Sequence, residues 1–173
     1  MNYQYLIAFG SNVEPRLENL AAAIQRLSKL GSLEACSSLY TTDPIGPADL
    51  EFYNGVLLLS STIEPEDMMR SLLLIETDLG RKRVRKWGNR NIDLDILMVQ
   101  DHEGKNYASN SDLLTVPHPH MSERDFVLRP AAEIAPEWHC KGNSIQELAH
   151  VCSMKSIRSM QSNEPVTKLL NPN

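Results

Sequence analysis

The stretch Asn91-Ile92-Asp93-Leu94-Asp95-Ile96-Leu97-Met98-Val99 alternates polar and apolar residues and predicts a β-strand. Because successive side chains of a strand point to opposite faces, Asp93 and Asp95 are expected on one face and their apolar neighbours on the other. Two residues along a strand span about 6.5 Å, from which two carboxylates can converge on cations that bridge a phosphate chain. Two adjacent like charges favour a cation between them, and Mg²⁺ is the candidate. The alternative interpretation is a solvent-facing polar edge.

Five predicted elements precede this strand and set its place in the fold. In chain order they are a strand at 3–9, a helix at 17–30, strands at 33–41 and 52–62, and a helix at 65–79. Pro15 is expected in the first turn of the first helix, and Gly31 and Gly80 are expected as the two C-terminal caps. Two prolines should stiffen the loop at 42–47.

The resulting order is β-α-β-β-α-β, so the predicted fold class is α+β. It is typical of a ferredoxin-like sandwich, in which a mainly antiparallel sheet carries its helices on one face. Two helices cannot cover both faces, so we expect the other face to be open for ligands. Residues 100–115 and 117–125 are predicted loops, and 126–160 should supply additional C-terminal helices as a mostly helical cap. We expect one domain at 1–160 and a loose polar tail at 161–173.

The composition is that of a globular protein and excludes several other classes. Of the 173 residues, 42% are hydrophobic and 23% charged, which excludes collagen-like, coiled-coil and wholly disordered chains. No apolar run approaches the roughly 20 residues of a membrane span, and the start MNYQYLIAFGSN does not resemble a signal peptide. Three cysteines are too few for a disulfide framework, so we expect a cytoplasmic location. A zinc site is not expected, because the candidate ligands lack a usual zinc spacing: His139, Cys140, His150 and Cys152.

The charge is unevenly distributed along the chain. The net charge of −5 disfavours nonspecific binding to nucleic acid or to an anionic membrane. Six basic residues nevertheless lie within 81–90 with no acid among them, leaving 11 basic and 22 acidic residues elsewhere. This segment and the two aspartates predict a polyphosphate site, in which carboxylates hold Mg²⁺ and arginines bind the remaining phosphate charge. Trp87 supports this interpretation over a plain solvated loop, because a large aromatic side chain in a polar loop needs a surface to cover.

Other classes of function remain as alternatives at this point. The chain has no P-loop, no G-x-G-x-x-G and no protein-kinase signature. A nucleotidyltransferase would also use paired acids and metals, although its glycine-serine turn normally lies just upstream of the acids, and here Gly10-Ser11 is more than eighty residues away. A transferase that acts on another alcohol is a further alternative. An RNA-binding ferredoxin-like module is the least favoured, because only 6% of the residues are aromatic and the Asp93 strand is acidic.

Five strings, in order between about residues 5 and 137, resemble the 6-hydroxymethyl-7,8-dihydropterin pyrophosphokinase family of folate biosynthesis. They are Ala8-Phe9-Gly10-Ser11-Asn12, Pro44-Ile45-Gly46-Pro47, Phe52-Tyr53-Asn54, the run from Gly80-Arg81 through Trp87-Gly88-Asn89-Arg90 to Leu97, and Val116-Pro117-His118-Pro119 through Phe126. The resemblance implies a ferredoxin-like enzyme that transfers the β,γ-diphosphate of ATP to the hydroxymethyl group of the pterin and releases AMP. It also implies two Mg²⁺ ions as cofactors, ATP as co-substrate and a reduced pterin alcohol as the other substrate.

The resemblance also implies a role for each matching residue. Asp93 and Asp95 would be the metal ligands and, with Arg81 and Arg90, the catalytic residues. The implied ATP contacts are Glu76, Arg83, Trp87, Thr115, His118 and Arg124. The implied pterin contacts are Thr42, Pro44, Ile45, Phe52, Asn54 and Phe126, with the two phenylalanine rings on either side of the pterin and Asn54 reading its edge. The chain departs from the family pattern at Asn89, His120, Ser122 and Arg129.

Overall fold

The computed structural model describes residues 1–44, 48–80 and 89–164. Its strands are β1 (Tyr3–Ser11), β2 (Ser32–Cys36), β3 (Leu39–Thr42), β4 (Phe52–Ser61), β5 (Asp93–Asp101), β6 (Asn106–Tyr107), β7 (Ser109–Asn110), β8 (Thr115–Val116), β9 (His139–Cys140), β10 (Asn143–Ser144) and β11 (Ile157–Gln161). Its helices are α1 (Arg16–Leu27), α2 (Pro65–Asp78), α3 (Asp125–Ile134) and α4 (Ile145–Val151), with a 3₁₀ turn at Met121–Glu123.

The main sheet has the strand order β11-β3-β4-β1-β5-β6, and β2 pairs with the same edge of β4 as β3 does. Every pairing in it is antiparallel, which confirms the predicted mainly antiparallel sheet. The register places Asp93 opposite Gly10, Gly10 opposite Asn54, and Asn54 opposite Tyr40. One row of paired residues therefore crosses four strands at the end of β5 that carries the aspartates.

The two faces of the sheet carry separate hydrophobic clusters. Side chains such as Tyr5 and Phe9 of β1 pack with α1 and α2, where Leu20 and Leu72 are fully buried. The neighbouring Leu6 points to the other face and packs with residues of α3 and α4. This separation follows from the two-residue period of the strand. Each large apolar side chain buried in this way contributes about 1.5–3 kcal/mol of transfer free energy.

The prediction of one open face is only partly right. The C-terminal helices α3 and α4 pack on the face opposite to α1 and α2, and cover Val56 and Met98. The part that α3 leaves uncovered is the end of the sheet near Gly10 and Asp93, where a cleft lies between the strands and the start of α3. The candidate site therefore occupies one end of this face.

Two predicted boundaries in the first half of the chain were wrong. The strand expected at 33–41 is two strands, because the buried Ser37 interrupts it: its hydroxyl accepts from the Val56 N–H at 2.9 Å, while its own N–H donates to the Val56 carbonyl. Helix α1 ends at Leu27, with Ser28 at its C-cap, so Gly31 is not its cap. Gly31 instead packs against β4, where a Cβ atom would lie 2.2 Å from the Ser60 carbonyl oxygen. Gly80 does follow α2 with φ +88°, as predicted.

The second half contains more strands than predicted. The loop expected at 100–115 includes β6, β7 and the start of β8, and the mostly helical cap expected at 126–160 also contains β9, β10 and most of β11. The carboxylate of Asp125 ties the start of α3 to the chain ahead of β11. It accepts from the N–H groups of Lys155 at 2.8 Å, Ser156 at 2.9 Å and Phe126 at 2.9 Å.

The predicted domain boundary at 160 stays a prediction. Gln161 is the last residue of β11, and the Asn163 amide donates to the carbonyls of Cys36 and Ser37, at 2.9 and 3.1 Å. The rest of the predicted tail, 165–173, lies outside the described residues. Among the residues that the structure does describe, no helix has the length and apolar character needed to cross a membrane.

Candidate active site

Asp93 and Asp95 lie side by side on one face of β5, as the sequence predicts. Both are partly exposed, whereas Leu94 and Ile96 between and beyond them are buried on the other face. Their neighbours across the strand pairing are Gly10 and Ala8, which are too small to cover them. Both carboxylates line a cleft, together with three other predicted site residues: Asn54, Arg124 and Phe126.

The amide of Asn54 lies directly over the backbone of β1. A Cβ atom on Gly10 would stand 2.4 Å from Asn54 Oδ1 and 3.6 Å from a ring carbon of Phe52, so only glycine allows this close approach. The Asn54 Nδ2 group donates to Thr42 Oγ1 at 2.7 Å, which fixes the orientation of the amide. Three residues predicted to bind the pterin therefore lie together on β3 and β4.

Arg90 is the described member of the basic segment and lies beside the aspartates. Its guanidinium forms an ion pair with Asp93, and both side chains are partly exposed. Its backbone is held by Asn12, the residue after β1: the Arg90 N–H donates to Asn12 Oδ1 at 2.6 Å, and its carbonyl accepts from the Asn12 N–H at 3.2 Å. This ion pair positions a cation against one of the two predicted metal ligands.

Asn12 and Asn89 form a polar connection that no sequence motif predicted. Asn12, only 2% exposed, donates from Nδ2 to Asn89 Oδ1 at 2.9 Å and to the Leu50 carbonyl at 3.2 Å. Asn89 Oδ1 also accepts from the Asp49 N–H at 3.3 Å. The only sequence signals were the polar residue that ends the first strand and the departure from the family pattern at Asn89. Together these bonds hold residues 49–50 and 89–90 against the end of β1.

The loop before α3 carries Arg124, which lines the cleft, and His118, which does not line it but lies within range of the charges of Arg124 and Asp93. The Arg124 guanidinium lies 5.7 Å from the centre of the Phe126 ring. Burial, reinforced by the charge of Arg124, lowers the pKa of His118 to about 4, so its imidazole is neutral near pH 7. His118 Nδ1 accepts from the His120 N–H at 3.2 Å, which leaves the neutral ring's proton on Nε2. His118 can therefore act as an uncharged donor.

Glu76 and Thr115 lie near the site but do not line the cleft. Glu76, on α2, is 1% exposed, and its Oε1 accepts from the Leu94 N–H at 2.7 Å, immediately between the two aspartates in sequence. The hydroxyl of Thr115, in β8, donates to Asn110 Oδ1 at 3.5 Å. Their predicted contacts with ATP stay predictions.

Other predicted site residues cannot be placed against the cleft. Arg81, Arg83, Trp87 and Ile45 lie outside the described residues, and Pro44 is described but does not line the cleft. In the described ranges, no group of three or more His, Cys, Asp or Glu side chains could hold a metal ion. The four residues considered for zinc lie within these ranges. Two carboxylates do fit Mg²⁺, because this ion is commonly bound by one or two carboxylates together with substrate phosphates.

A model of the 7,8-dihydro-6-hydroxymethylpterin-pyrophosphokinase (HPPK) family matches residues 6–136 of the chain. The chain belongs to the HPPK family. Residues 6–136 include every cleft residue named above, so the family match and the candidate site cover the same part of the molecule. The family predicted from the sequence is confirmed, and with it the prediction of a pyrophosphokinase.

Curated relatives agree with this assignment. The 2-amino-4-hydroxy-6-hydroxymethyldihydropteridine pyrophosphokinase of Synechocystis sp. is 38% identical over 135 residues, which cover 77% of this chain and 67% of the relative. The protein of the same name from Pseudomonas aeruginosa is 37% identical over 158 residues, which cover 89% of this chain and 94% of the relative. Similarity to these relatives therefore extends over most of both chains.

Solved structures with a similar fold are larger proteins. The Plasmodium falciparum HPPK-DHPS structure with pteroate superposes with a TM-score of 0.66 at 15% identity, and the one with pterin and p-hydroxybenzoate with a TM-score of 0.67 at 15% identity. Each covers 87% of this chain, whereas this chain spans only 42% and 43% of theirs. At this identity, the likeness shows a shared fold.

Proposed function

We propose that the cleft transfers the diphosphate of ATP to the hydroxymethyl group of 6-hydroxymethyl-7,8-dihydropterin in folate biosynthesis, and that AMP is released. The observation that carries the proposal is the position of Asp93 and Asp95 on one strand face, in the same cleft as Asn54 and Phe126. Paired carboxylates suit a metal-bound polyphosphate, while an amide and an aromatic ring suit a flat heterocycle. The family membership of the chain supports both halves of this interpretation.

The two aspartates are the proposed ligands of Mg²⁺, with two ions expected from the family resemblance. When bound, Mg²⁺ would neutralise the negative charge on the phosphate oxygens. In the protein alone, the Arg90 guanidinium already lies against Asp93, so part of the carboxylate charge is compensated there. This arrangement keeps a cation beside the phosphate site in the absence of substrate.

The pterin is proposed to bind against Asn54 between the rings of Phe52 and Phe126, with Pro44 and Ile45 completing the pocket. The hydrogen bond from Asn54 to Thr42 orients the amide, so that its other polar atoms can match the donor and acceptor groups of a heterocycle. Gly10 leaves room for this amide over β1.

The phosphates of ATP are proposed to contact Arg124 and His118 on one side of the cleft and Arg90 on the other, with Arg81 and Arg83 supplying further charge and Trp87 closing over the site. His118 would donate a neutral hydrogen bond from Nε2, since its Nδ1 is occupied by the His120 N–H. Glu76 and Thr115 complete the proposed ATP contacts. Positioning and charge stabilisation supply most of the rate in phosphoryl transfer, so we assign no general base.

In the proposed reaction, the hydroxymethyl oxygen attacks the β-phosphorus of ATP in line. A bond from this oxygen to the β-phosphorus forms, while the bond from the β-phosphorus to the oxygen that bridges it to the α-phosphorus breaks. AMP leaves with the bridging oxygen, and the proton of the hydroxyl group passes to water. Arg90 and Arg124 hold the phosphates during the transfer.

The fold is proposed to be the ferredoxin-like βαββαβ sandwich. Support comes from the chain order β1-α1-(β2, β3)-β4-α2-β5, in which β2 and β3 together stand for one interrupted strand. In the sheet, β1 lies between β4 and β5. A single domain at 1–160 remains part of this proposal. A cytoplasmic location is also proposed, and the three unpaired cysteines agree with a reducing compartment.

The decisive experiment measures AMP formation from ATP by the full chain. We expect AMP only when Mg²⁺ and 6-hydroxymethyl-7,8-dihydropterin are both present, with a diphosphorylated pterin as the second product. Release of pyrophosphate in place of AMP would point to nucleotidyl transfer, and AMP formation with a different alcohol but not with the pterin would point to another acceptor. Either result would contradict the proposal.

A further inference from the structure

A second recess lies along α3, beyond the turn that lines the catalytic cleft. Phe126 and Val127 of α3 line the cleft, whereas Arg129 and Glu133 line a groove of about 500 Å³ between α3, α4 and β3. We call it the α3–α4 groove. Its volume falls within the range of small-molecule sites, about 300–1,000 Å³. None of its residues belongs to the proposed catalytic machinery, so it needs its own interpretation.

The Arg129 side chain is the feature that points to a ligand. Its Nε atom is buried and has no hydrogen-bond partner within the part of the chain that the structure describes. Buried donors are almost always paired, so the Arg129 Nε donor needs an acceptor, which a water molecule, an ion or a ligand can supply. The guanidinium presents its donors as a planar fork that fits a carboxylate or phosphate.

The Glu133 carboxylate in the groove already accepts two hydrogen bonds from the chain. Glu133 Oε2 accepts from the Ser38 N–H at 3.0 Å, and Oε1 accepts from the Tyr40 hydroxyl. These bonds hold the Glu133 carboxylate toward β3, away from the wall formed by α4. Among the described residues, Arg129 Nε therefore has no acceptor, and a bound anion would supply one.

The remaining walls define the chemistry of that acceptor. Gln146 and His150 lie four residues apart on α4 and supply polar side chains to the groove. The other wall residues are small and apolar: Ala132, Pro136 and Ala149. An anionic head between Arg129 and α4, with a compact apolar body against the alanines, matches both halves of the surface.

We propose that the α3–α4 groove binds a small organic carboxylate, with its anionic group on Arg129 and its apolar body against α3 and α4. The site is separate from the catalytic cleft, since the two recesses share α3 but none of their lining residues. The proposal does not depend on the proposed pyrophosphokinase reaction, because it rests only on this second recess.

Benzoate is a suitable probe, and benzamide is its uncharged counterpart. We expect saturable heat in calorimetric titration of the full chain with millimolar benzoate, and weaker binding of benzamide by about tenfold or more. The variant Arg129→Leu should weaken benzoate binding by about tenfold or more. Arg70→Leu removes the same charge from α2, on the other face of the sheet, and should leave binding unchanged.

Two further variants separate the outcomes. Arg124→Leu, in the catalytic cleft, should retain benzoate binding; loss of binding there would assign benzoate to that cleft and overturn the proposal. His150→Gln changes an exposed side chain, so it tests the groove even where Arg129→Leu fails to fold. Equal affinities for benzoate and benzamide would also overturn it, as would unchanged benzoate affinity in Arg129→Leu or, where that variant does not fold, in His150→Gln. So would binding of inorganic phosphate with no binding of benzoate.

Discussion

The side chains of Asn12 and Asn89 are joined by a hydrogen bond of 2.9 Å at the edge of the candidate active site. Through it, the end of β1 holds two separate parts of the chain, residues 49–50 and residues 89–90. Arg90, whose guanidinium pairs with Asp93, is the immediate neighbour of Asn89. The position of Arg90 therefore depends on the buried side-chain amide of Asn12, which does not line the cleft.

Replacing Asn89 with Ala should loosen the position of Arg90 without unfolding the protein. The change removes the acceptor of the bonds from Asn12 and Asp49, each worth about 0.5–1.5 kcal/mol. We expect kcat to fall by about three- to tenfold, since a small displacement of a charged group weakens transition-state stabilisation. Steady-state kinetics and urea denaturation measure the two effects. Asn2→Ala, at an exposed asparagine, is the control, and unchanged kcat in Asn89→Ala would exclude the positioning role.

Asp95→Ala should abolish most of the activity while the fold survives. Asp95 is partly exposed and lies opposite Ala8, so its removal opens no large cavity. We expect a loss of at least about 3 kcal/mol of transition-state stabilisation, which is more than about a hundredfold in kcat/KM. Circular dichroism and AMP release provide the measurements. The matched variant Asp112→Ala, at an exposed loop aspartate, should behave as the wild type, and a near-normal rate for Asp95→Ala would contradict the metal role.

Gly10→Ala should affect the pterin more than ATP. The new Cβ would lie 2.4 Å from Asn54 Oδ1, so the amide has to move away from the orientation that Thr42 fixes. We expect KM for the pterin to rise by about tenfold, the loss of roughly one oriented hydrogen bond, with little change in KM for ATP. Gly104→Ala is a control at a turn with nothing within 4 Å, where φ is +77° and only stability should decrease. A pterin KM that does not change would show that Asn54 does not read the substrate.

The stability of the protein should fall as the pH drops through the range between 6.5 and about 4, in part because of His118. Burial lowers the pKa of His118 in the folded state to about 4, so the unfolded chain binds more protons in this window. The contribution is complete above pH 6.5 and is lost toward pH 4. With a discount for partial exposure, it amounts to about 1–2 kcal/mol.

The variant His118→Gln checks this sign. Its free energy of unfolding, measured by urea denaturation near neutral pH and again near pH 5, should decrease less than that of the wild type. His139→Gln, which alters an exposed histidine, should follow the wild type. An equal decrease in wild type and His118→Gln would show that His118 is not held neutral by the fold.

The sequence could predict features that depend on local periodicity. The alternation around Asp93 and Asp95 places both carboxylates on one face, and the apolar stripes of α1 and α2 place those helices on the other. The register that brings Asn54 opposite Gly10 could not be predicted, because it depends on pairing between strands more than forty residues apart. The break at Ser37 and the strand β11 also depend on distant partners, Val56 and β3.

The same limit applies to the site. Motifs indicated which residues meet, and the cleft brings five of them together, but no local pattern shows that Asn12 is buried against two other chain segments. The adjacent residues Ser11 and Val13 do not indicate that Asn12 contacts Leu50 and Asn89. Residues that act through long-range hydrogen bonds become visible only in three dimensions.

The carboxylate of Asp125 connects the last described part of the chain to the start of α3, beside the proposed pterin site. Hydrogen bonds from Ser156, Lys155 and Phe126 outweigh the effect of burial and lower its pKa, so this group stays ionised near neutral pH. A protein shortened to end before residue 155 would keep every cleft residue yet strip this anion of its donors from 155–157. The start of α3, where the Phe126 N–H donates to the same carboxylate, would lose its connection to the chain ahead of β11, so a deletion made well outside the cleft would weaken the positioning of Phe126.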